Sequence, residues 1–310
     1  MKNKITVMGS FVVDLMSRAP HLPQPGETVK GSLFKLGPGG KGFNQGVAAH
    51  KAGGNVVMST KLGRDSFADV ALETMRQLDM DTEHVLFSET AETGAALIMV
   101  DEATSQNKIV VVLGACDTID DADLKKLKPQ IESSAILLTQ LETNVSAVEK
   151  AVEIARRSGT TVILNPAPIQ PITDDLLSKV DIITPNEVEA EILTGIKVDG
   201  EENAQKAARW FFSKGVKQVL ITLGSRGVFV ADGKESRILP VPRVKVLDTT
   251  GAGDAFNGGL ATALAEGRSI WEAAQFANAL ASLAVQKLGT TPAMPVREEI
   301  DAFLASHAMG

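Results

Sequence analysis

The chain has 310 residues, enough for one large α/β domain with a smaller appendage, and carries a formal net charge of −7 with no long run of Lys or Arg. That balance counts against a nucleic-acid or anionic-membrane surface, so neither partner is expected. Tyr is absent, and a single Cys with four His excludes an intramolecular disulfide and argues against a metal cage built from protein ligands.

The N-terminal stretch Met1 to Gly9 turns into Gly-Ser after a few apolar residues, too short for a signal peptide, and no later run reaches membrane-spanning length. A cytoplasmic protein is expected. Ile5 to Met8 reads as a buried first strand, with Asp14 following it. From Phe11 to Lys35, Pro20, Pro23, Pro25 and Gly26 punctuate short extended pieces, which reads as a small β excursion. The glycine-rich run Gly37 to Gly46 then opens a helix through Ala52. Such a turn can hold a phosphate, or let backbone amides meet sugar hydroxyls.

Strand and helix alternate again with Val56 to Ser59, a helix around Phe67 to Leu78, and an extended piece at Val85 to Phe87. Ala95 to Val100 and Ile109 to Leu113, joined by Asp101 to Asn107, read as a hairpin that pairs with the first β excursion. Strands are then expected at Ile136 to Thr139, Thr161 to Leu164, Asp181 to Thr184 and Gln218 to Thr222, with a hairpin-like pair at Val228 to Ala231 and Ser236 to Leu239. Between them fall helices at Val145 to Ser158, Asp174 to Lys179, from Glu187, and at Ala204 to Lys214, and others follow Asp254 and Ser269. Strands separated by helices predict an α/β fold: a doubly wound, mainly parallel sheet flanked by helices, with ligands at the strand C-termini.

Asp248-Thr249-Thr250-Gly251-Ala252-Gly253-Asp254 packs small residues, hydroxyls and a carboxylate into one turn, between a predicted strand end at Val244 to Leu247 and an apolar helix from Ala255. A helix start leaves backbone N–H groups unpaired and points the positive end of the dipole outward, so anions bind there. Glycines at 251 and 253 let a phosphoryl oxygen approach closely. A carboxylate at 254 would repel a phosphate, and its presence makes sense as the base that takes a proton from a nucleophile attacking that phosphate. Glu142, Asn165, Asn186, Glu189, Thr222 and Gly224 also fall where predicted strands end.

In these motifs the sequence resembles the ribokinase family of carbohydrate kinases, the PfkB-type kinases. The resemblance rests on Gly39-Gly40-Lys41-Gly42 with Asn44, Asn165-Pro166-Ala167-Pro168, Thr184 to Glu189, Ile221 to Gly224, and Asp248 to Asp254, and it spans nearly the whole chain. It implies a single domain over residues 1–310, with a β lid from about 11–38 and 93–114, and a homodimer formed through that lid. It further implies ATP-dependent phosphorylation of the terminal 5-hydroxyl of a pentose, D-ribose first. By position, Asp254 is the implied base, and the Gly251, Ala252 and Gly253 amides the anion hole. Asp14, Gly40, Lys41, Asn44 and Glu142 would bind the sugar, while Asn186, Thr222, Gly224 and Asn278 fall on the nucleotide side. Glu189 matches an acidic position associated with magnesium. Asp248, Thr250, Ala284, Lys287, Gly289 and Ala293 fall on a monovalent-cation site, implying potassium.

There are departures from the family pattern. Val12 stands where Asn is usual, so a hydroxyl buried against it would lose a partner; this favours a sugar with one hydroxyl fewer, 2-deoxyribose. Phe43 replaces a usual Ala and Ala293 a usual Ser. A nucleoside or hexose-phosphate kinase is the rival enzyme, and a non-catalytic sugar or nucleotide sensor the rival of another class. A carboxylate beside a phosphate site speaks against the sensor.

Overall fold

The computed structural model describes residues 3–104 and 106–307. Met1 and Lys2 of the N-terminal reading, Ser105 in the turn of the predicted hairpin, and positions 308–310 lie outside the described residues.

In chain order, β1 (Lys4–Met8), β2 (Val12–Ala19) and β3 (Leu33–Gly39) precede α1 (Lys41–Lys51), β4 (Asn55–Ser59), β5 (Lys61–Leu62), α2 (Ser66–Gln77) and β6 (Leu86–Phe87). The hairpin β7 (Thr93–Asp101) and β8 (Asn107–Gly114) leads to α3 (Asp121–Ser133), β9 (Ile136–Gln140), α4 (Val145–Ser158), β10 (Thr161–Asn165) and α5 (Asp174–Ser178). Then come β11 (Ile182–Ile183), α6 (Glu187–Thr194), α7 (Glu201–Ser213), β12 (Gln218–Thr222), β13 (Val228–Ala231), β14 (Ser236–Leu239), α8 (Ala252–Ala265), α9 (Ile270–Ala284) and α10 (Arg297–His307).

The main sheet has eight strands in the order β14-β13-β12-β11-β10-β9-β1-β4. From β12 to β4 every pairing is parallel, and β13 and β14 add an antiparallel edge. Its strands are short β-branched and aliphatic runs because helices cover both faces. Period-2 alternation divides each strand between two cores. Ile136, Leu138, Ile163 and Leu220 pack with α1, α2, α8 and α9, whereas Leu137, Val162, Leu164 and Val219 pack with α3, α4 and α7. The chain leaves β1 for β4 on one side and resumes at β9 on the other, so a topological switch point opens at the C-terminal ends of β1 and β9.

A separate four-stranded sheet, β3-β2-β7-β8, joins the two β excursions, and β2 pairs parallel with β7. Asp14 sits inside β2, in register with Gly37 and Ala96, rather than merely following the first strand. Val12 and Asp14, two apart, share one face of β2. Val12 is 2% exposed yet belongs to neither large core.

The sequence reading went wrong in two ways. Residues 244–247 form no strand; instead the Leu247 and Asp248 N–H groups both donate to the Val285 carbonyl, just past α9. Val246 and Leu247 stay 54% and 55% exposed, so the β-branched pattern there met no sheet edge to join. Helices α3 and α10 were not anticipated. The first carries its own signals: Asp120 forms a capping box with Asp123, and Leu124, Leu127 and Ile131 make its buried stripe.

Candidate active site

Two glycine-capped helices start at the switch point, and their different surroundings shape the site. Helix α8 begins after Gly251, which is left-handed (φ 76°) and offers no side-chain cap. The Ala252 N–H is spent on the Thr249 carbonyl at 3.2 Å, while the Gly251, Gly253 and Asp254 N–H groups have no intramolecular partner among the described residues. A Cβ built on Gly253 would meet nothing within 4 Å. This N-terminus therefore has bare amides, an aligned dipole and room for an anion. Of the amides expected to form the anion hole, that of Ala252 is already engaged, whereas that of Asp254, not among those expected, has no partner among the described residues.

Helix α1 begins after Gly40 (φ 90°), where a Cβ would lie 2.8 Å from Phe11 Cα. Gly42 is pressed against Gly9 even more tightly, at 2.5 Å. These glycines are dictated by close backbone packing onto the β1–β2 link. The amides of α1 are already satisfied: Lys41 N–H donates to Glu142 Oε2 at 2.8 Å, Gly42 N–H to Ser10 Oγ at 3.4 Å, and Phe43 N–H to Ser10 O at 2.9 Å. The phosphate option for this turn is thereby closed, because the chain's own Glu142 carboxylate sits where a phosphate would.

Asp254, the third residue of α8, is 8% exposed. Asn44 Nδ2 donates to its Oδ2 at 3.1 Å and Gln45 Nε2 to its Oδ1 at 3.0 Å. Thr291 Oγ1 donates to Asn44 Oδ1 at 3.1 Å, which fixes the orientation of that amide. Burial pushes the Asp254 carboxyl up; Lys41 and the two amide donors oppose this, and Glu142 adds to it. Asp14, on the small sheet, is raised from 3.8 to about 6, by burial first and then by Glu142 and Asp254. Asp14, Glu142 and Asp254 thus converge on one region, with Lys41 the nearby positive charge. Lys41 makes no ion pair among the described residues.

A cavity of about 170 Å³ brings together Lys41, Asn186, Glu189, Thr222 and the turn from Gly251 to Asp254. Its wall also holds Asn165, Ala167, Thr184, Thr249 and Asn257; Thr249 belongs to the turn singled out in the sequence, whereas Asn257 escaped that reading. The signal for Asn257 was an amide inside an otherwise apolar helix. Asn186 caps α6 reciprocally with Glu189: Asn186 Oδ1 accepts from Glu189 N–H, and Glu189 Oε2 from Asn186 N–H, each at 2.8 Å. Asn186 also bridges to Thr222, extending the parallel pairing of β11 and β12. Burial raises the Glu189 carboxyl, with the Asn186 N–H and Lys41 opposing and Asp254 adding.

Asp14, Gly40, Asn44 and Glu142 are not in the wall of this cavity, and neither are Gly224 and Asn278. Gly224 opens an exposed 3-10 turn after β12. Asn278 is buried in α9, with its Nδ2 3.3 Å from the Leu239 carbonyl it donates to.

Among the described residues no group of three or more His, Cys, Asp or Glu side chains could hold a metal ion. A divalent ion here would rest on Glu189, water and phosphate oxygens, which suits magnesium and fits a carboxyl whose burial leaves it short of positive charge. Next to the α8 turn, the Asp248 carboxylate accepts from Thr250 N–H at 2.9 Å and Gly289 N–H at 3.0 Å. Burial would raise this carboxyl, but those donors and the Thr250 hydroxyl hold it below the usual range. Thr250 and Gly289 are thus tied to Asp248, and the Asp248 N–H reaches Val285, next to Ala284. Ala284 O already accepts from Lys287 N–H, while Lys287 Nζ pairs with Glu299 at 2.9 Å. Ala293 is buried and brings a methyl, so only its carbonyl can serve. One ionised carboxylate with backbone carbonyls is a donor set that suits a hard monovalent cation.

A family model described as pfkB family carbohydrate kinase matches residues 2–297. The chain is 43% identical over 304 residues to a ribokinase from Haemophilus influenzae, covering 98% of this chain and 99% of that one. To a deoxyribokinase from Salmonella typhi it is 34% identical over 302 residues, covering 97% and 98%. A solved Arabidopsis thaliana ribokinase complexed with ribose and ATP superposes with a TM-score of 0.91 at 32% identity, covering 98% of this chain and 99% of that one. With bare amides over a buried carboxylate and a match of this length, the chain belongs to the pfkB family of carbohydrate kinases, phosphotransferases that act on an alcohol.

Proposed function

We propose that the protein transfers the terminal phosphoryl group of ATP to the 5-hydroxyl of D-ribose, giving ribose 5-phosphate. The observation that carries this reading is Asp254, buried beneath the open N-terminus of α8 and held by amides of α1. Asp254 takes the proton of the attacking hydroxyl, and the Gly251, Gly253 and Asp254 N–H groups stabilise charge on the transferring phosphoryl group. Asp14, Asn44 and Glu142, with the Gly40 and Lys41 region, grip the sugar, and Asn186, Thr222, Gly224 and Asn278 serve the nucleotide. The identities to ribokinases and the fold shared with a ribose- and ATP-bound relative support the substrate. Glu189 would hold magnesium, which would supply neutralisation of phosphate charge. The Asp248 set would hold potassium, which would supply positive charge beside the α8 turn. A coupled assay of ATP with a panel of pentoses, hexoses and nucleosides tests the reading. Ribose should give the highest kcat/KM, potassium should raise the rate over a bulky organic cation, and turnover of none of the sugars would refute it.

The second reading, 2-deoxyribose as substrate, rests on Val12 beside Asp14 on β2 and on the likeness to a deoxyribokinase. Ribose is favoured because the relatives named ribokinase reach higher identity. Comparing kcat/KM for both sugars in the parent and in Val12→Asn separates the two.

We read residues 1–310 as one domain whose small sheet, about 11–38 and 93–114, is a lid and a dimer interface. Phe34 is 65% exposed, and Val110 and Val112 on the edge strand β8 are 56% and 58% exposed. An apolar, unpaired edge of this kind needs a partner, and a second copy supplies one. Light scattering should give a dimer at micromolar concentration. Among the described residues no helix is long and apolar enough to cross a membrane, and we read the protein as cytoplasmic.

A further inference from the structure

Beneath the cavity lies a chain of buried polar side chains that the sequence reading did not isolate. Gln45, 0% exposed and absent from the cavity wall, sits at its centre. Its Oε1 accepts from Gln140 Nε2 at 2.6 Å, and its Nε2 donates both to Asp254 Oδ1 at 3.0 Å and to Asn165 Oδ1 at 3.1 Å. The chain continues from Asn165 Nδ2 to the Thr184 carbonyl at 3.0 Å and from Thr184 Oγ1 to Asn257 Oδ1 at 2.6 Å. It closes from Asn257 Nδ2 onto the Gly253 carbonyl at 2.8 Å.

Such an arrangement exceeds what stability asks of a core. A buried glutamine could be replaced by a hydrophobe of like size without harm, provided its partners were replaced too. Here one end of the chain reaches the Asp254 carboxylate and the other the peptide that carries the Asp254 N–H, and Gln140 Oε1 behind them is buried without a partner among the described residues. Gln45 can take only one orientation, since a flipped amide would set its oxygen against both the Asp254 carboxylate and Asn165 Oδ1. Asn44 grips the other carboxylate oxygen, but from a position that also meets Thr291 beside the site. Gln45 is therefore the fully buried one of the two donors to Asp254.

We propose that Gln45 is a positioning residue: it aims the Asp254 carboxylate and, through Asn165, Thr184 and Asn257, locks it to the same frame as the Gly253–Asp254 peptide, which carries the Asp254 N–H. The inference rests on the reading of Asp254 as the base. The charged groups facing Asp254 are Lys41 of α1, Glu142 after β9, Asp14 of β2 and Glu189 of α6, and the substitutions below alter none of them.

The test is steady-state kinetics across pH with ribose and ATP. Gln45→Met keeps the volume and removes the donor, and should lower kcat by roughly ten- to hundredfold through misaim of the base, while both KM values hold within about threefold. Its acid limb should move to higher pH, because a carboxylate that loses an N–H donor binds its proton more tightly. Gln140→Met loosens Gln45 from behind and should move the limb the same way by less. In an Asp254→Asn background, Gln45→Met should cost under about threefold more, since the two act as one unit. Unchanged kcat, a loss of kcat with the acid limb unmoved, or additive losses would each overturn the proposal. If Gln45→Met does not fold, an unmoved limb in Gln140→Met decides against it. Full turnover by Asp254→Asn alone would instead remove the base assignment itself, a failure read from a different variant.

Discussion

Helices α1 and α8 both begin at a glycine of positive φ, with no side chain capping them, at the same edge of the main sheet. Around α1 the orphan amides are taken by Ser10 and by the Glu142 carboxylate. Around α8 three of them have no partner among the described residues, and the space at Gly253 is open. A glycine-rich helix start is therefore no sign of anion binding in itself; what decides is whether the protein has already supplied the anion. The first start is a finished joint, which in the proposed reading holds side chains for the sugar. The second is left incomplete, and in the same reading a phosphoryl group finishes it.

The largest expected effect strikes the open start. Asp254→Asn should lower kcat by roughly 10²–10⁴-fold with little change in KM for the sugar, as loss of a general base does, and the coupled assay reads it directly.

Placing the same methyl at each start should then give opposite results. Gly253 is helical, with nothing within 4 Å of a new Cβ. Gly253→Ala should therefore leave stability unchanged or up to about 1 kcal/mol higher, while kcat/KM for ATP falls by roughly tenfold or more as the methyl enters the anion's place. Gly42→Ala has Gly9 backbone at 2.5 Å and should destabilise by about 2–3 kcal/mol whatever is bound. Thermal unfolding and ATP kinetics on the two variants would break the comparison if the pattern were shared.

Glu142→Gln sharpens it from the other side. Losing the internal anion of α1 should cost about 1–2 kcal/mol of stability and raise the ribose KM, leaving ATP binding alone.

Asp14 gives the smallest effect, and its sign follows from the raised carboxyl. The folded value of about 6 lies above the ordinary carboxyl value of 3.8, so this group stabilises the free fold below 3.8 and that contribution is lost as pH rises through 6. At pH 7 the free Asp14→Asn protein should be more stable than the parent by about 1–2 kcal/mol, with the gain gone by pH 4 in chemical unfolding. The parent's ribose KM should rise as pH falls below 6, because the neutral acid accepts hydroxyl protons poorly.

The main sheet was legible because buried parallel strands are unbroken aliphatic runs between helices, and most predicted strands lie within a residue or so of the observed ones. The α8 turn was legible because glycine, hydroxyl and carboxylate in seven residues have few structural uses. Helix α3 was overlooked although its capping box and its stripe at 124, 127 and 131 were on the page; Pro129 in its last turns hid it. Residues 244–247 misled because β-branched composition reports a preference for sheet, and only tertiary context says whether an edge is free. Gln45 was hidden for a plainer reason: it is adjacent in sequence to Asn44, and only the fold shows that its amide turns inward to Gln140 and Asp254.

The pairing of β2 with β3 and β7 puts Val12 and Asp14 on a sheet that shares no strand with the main sheet, whereas Asp254 stands on helix α8 and is bonded by Asn44 and Gln45 of α1. In the proposed reading the part of acceptor choice that rests on Val12 and Asp14 is thus separable from the phosphoryl chemistry, while Asn44 belongs to both. An engineer seeking a catalyst for a new alcohol could randomise the small sheet's inner face and leave the machinery untouched, and natural drift within such a scaffold would have the same freedom.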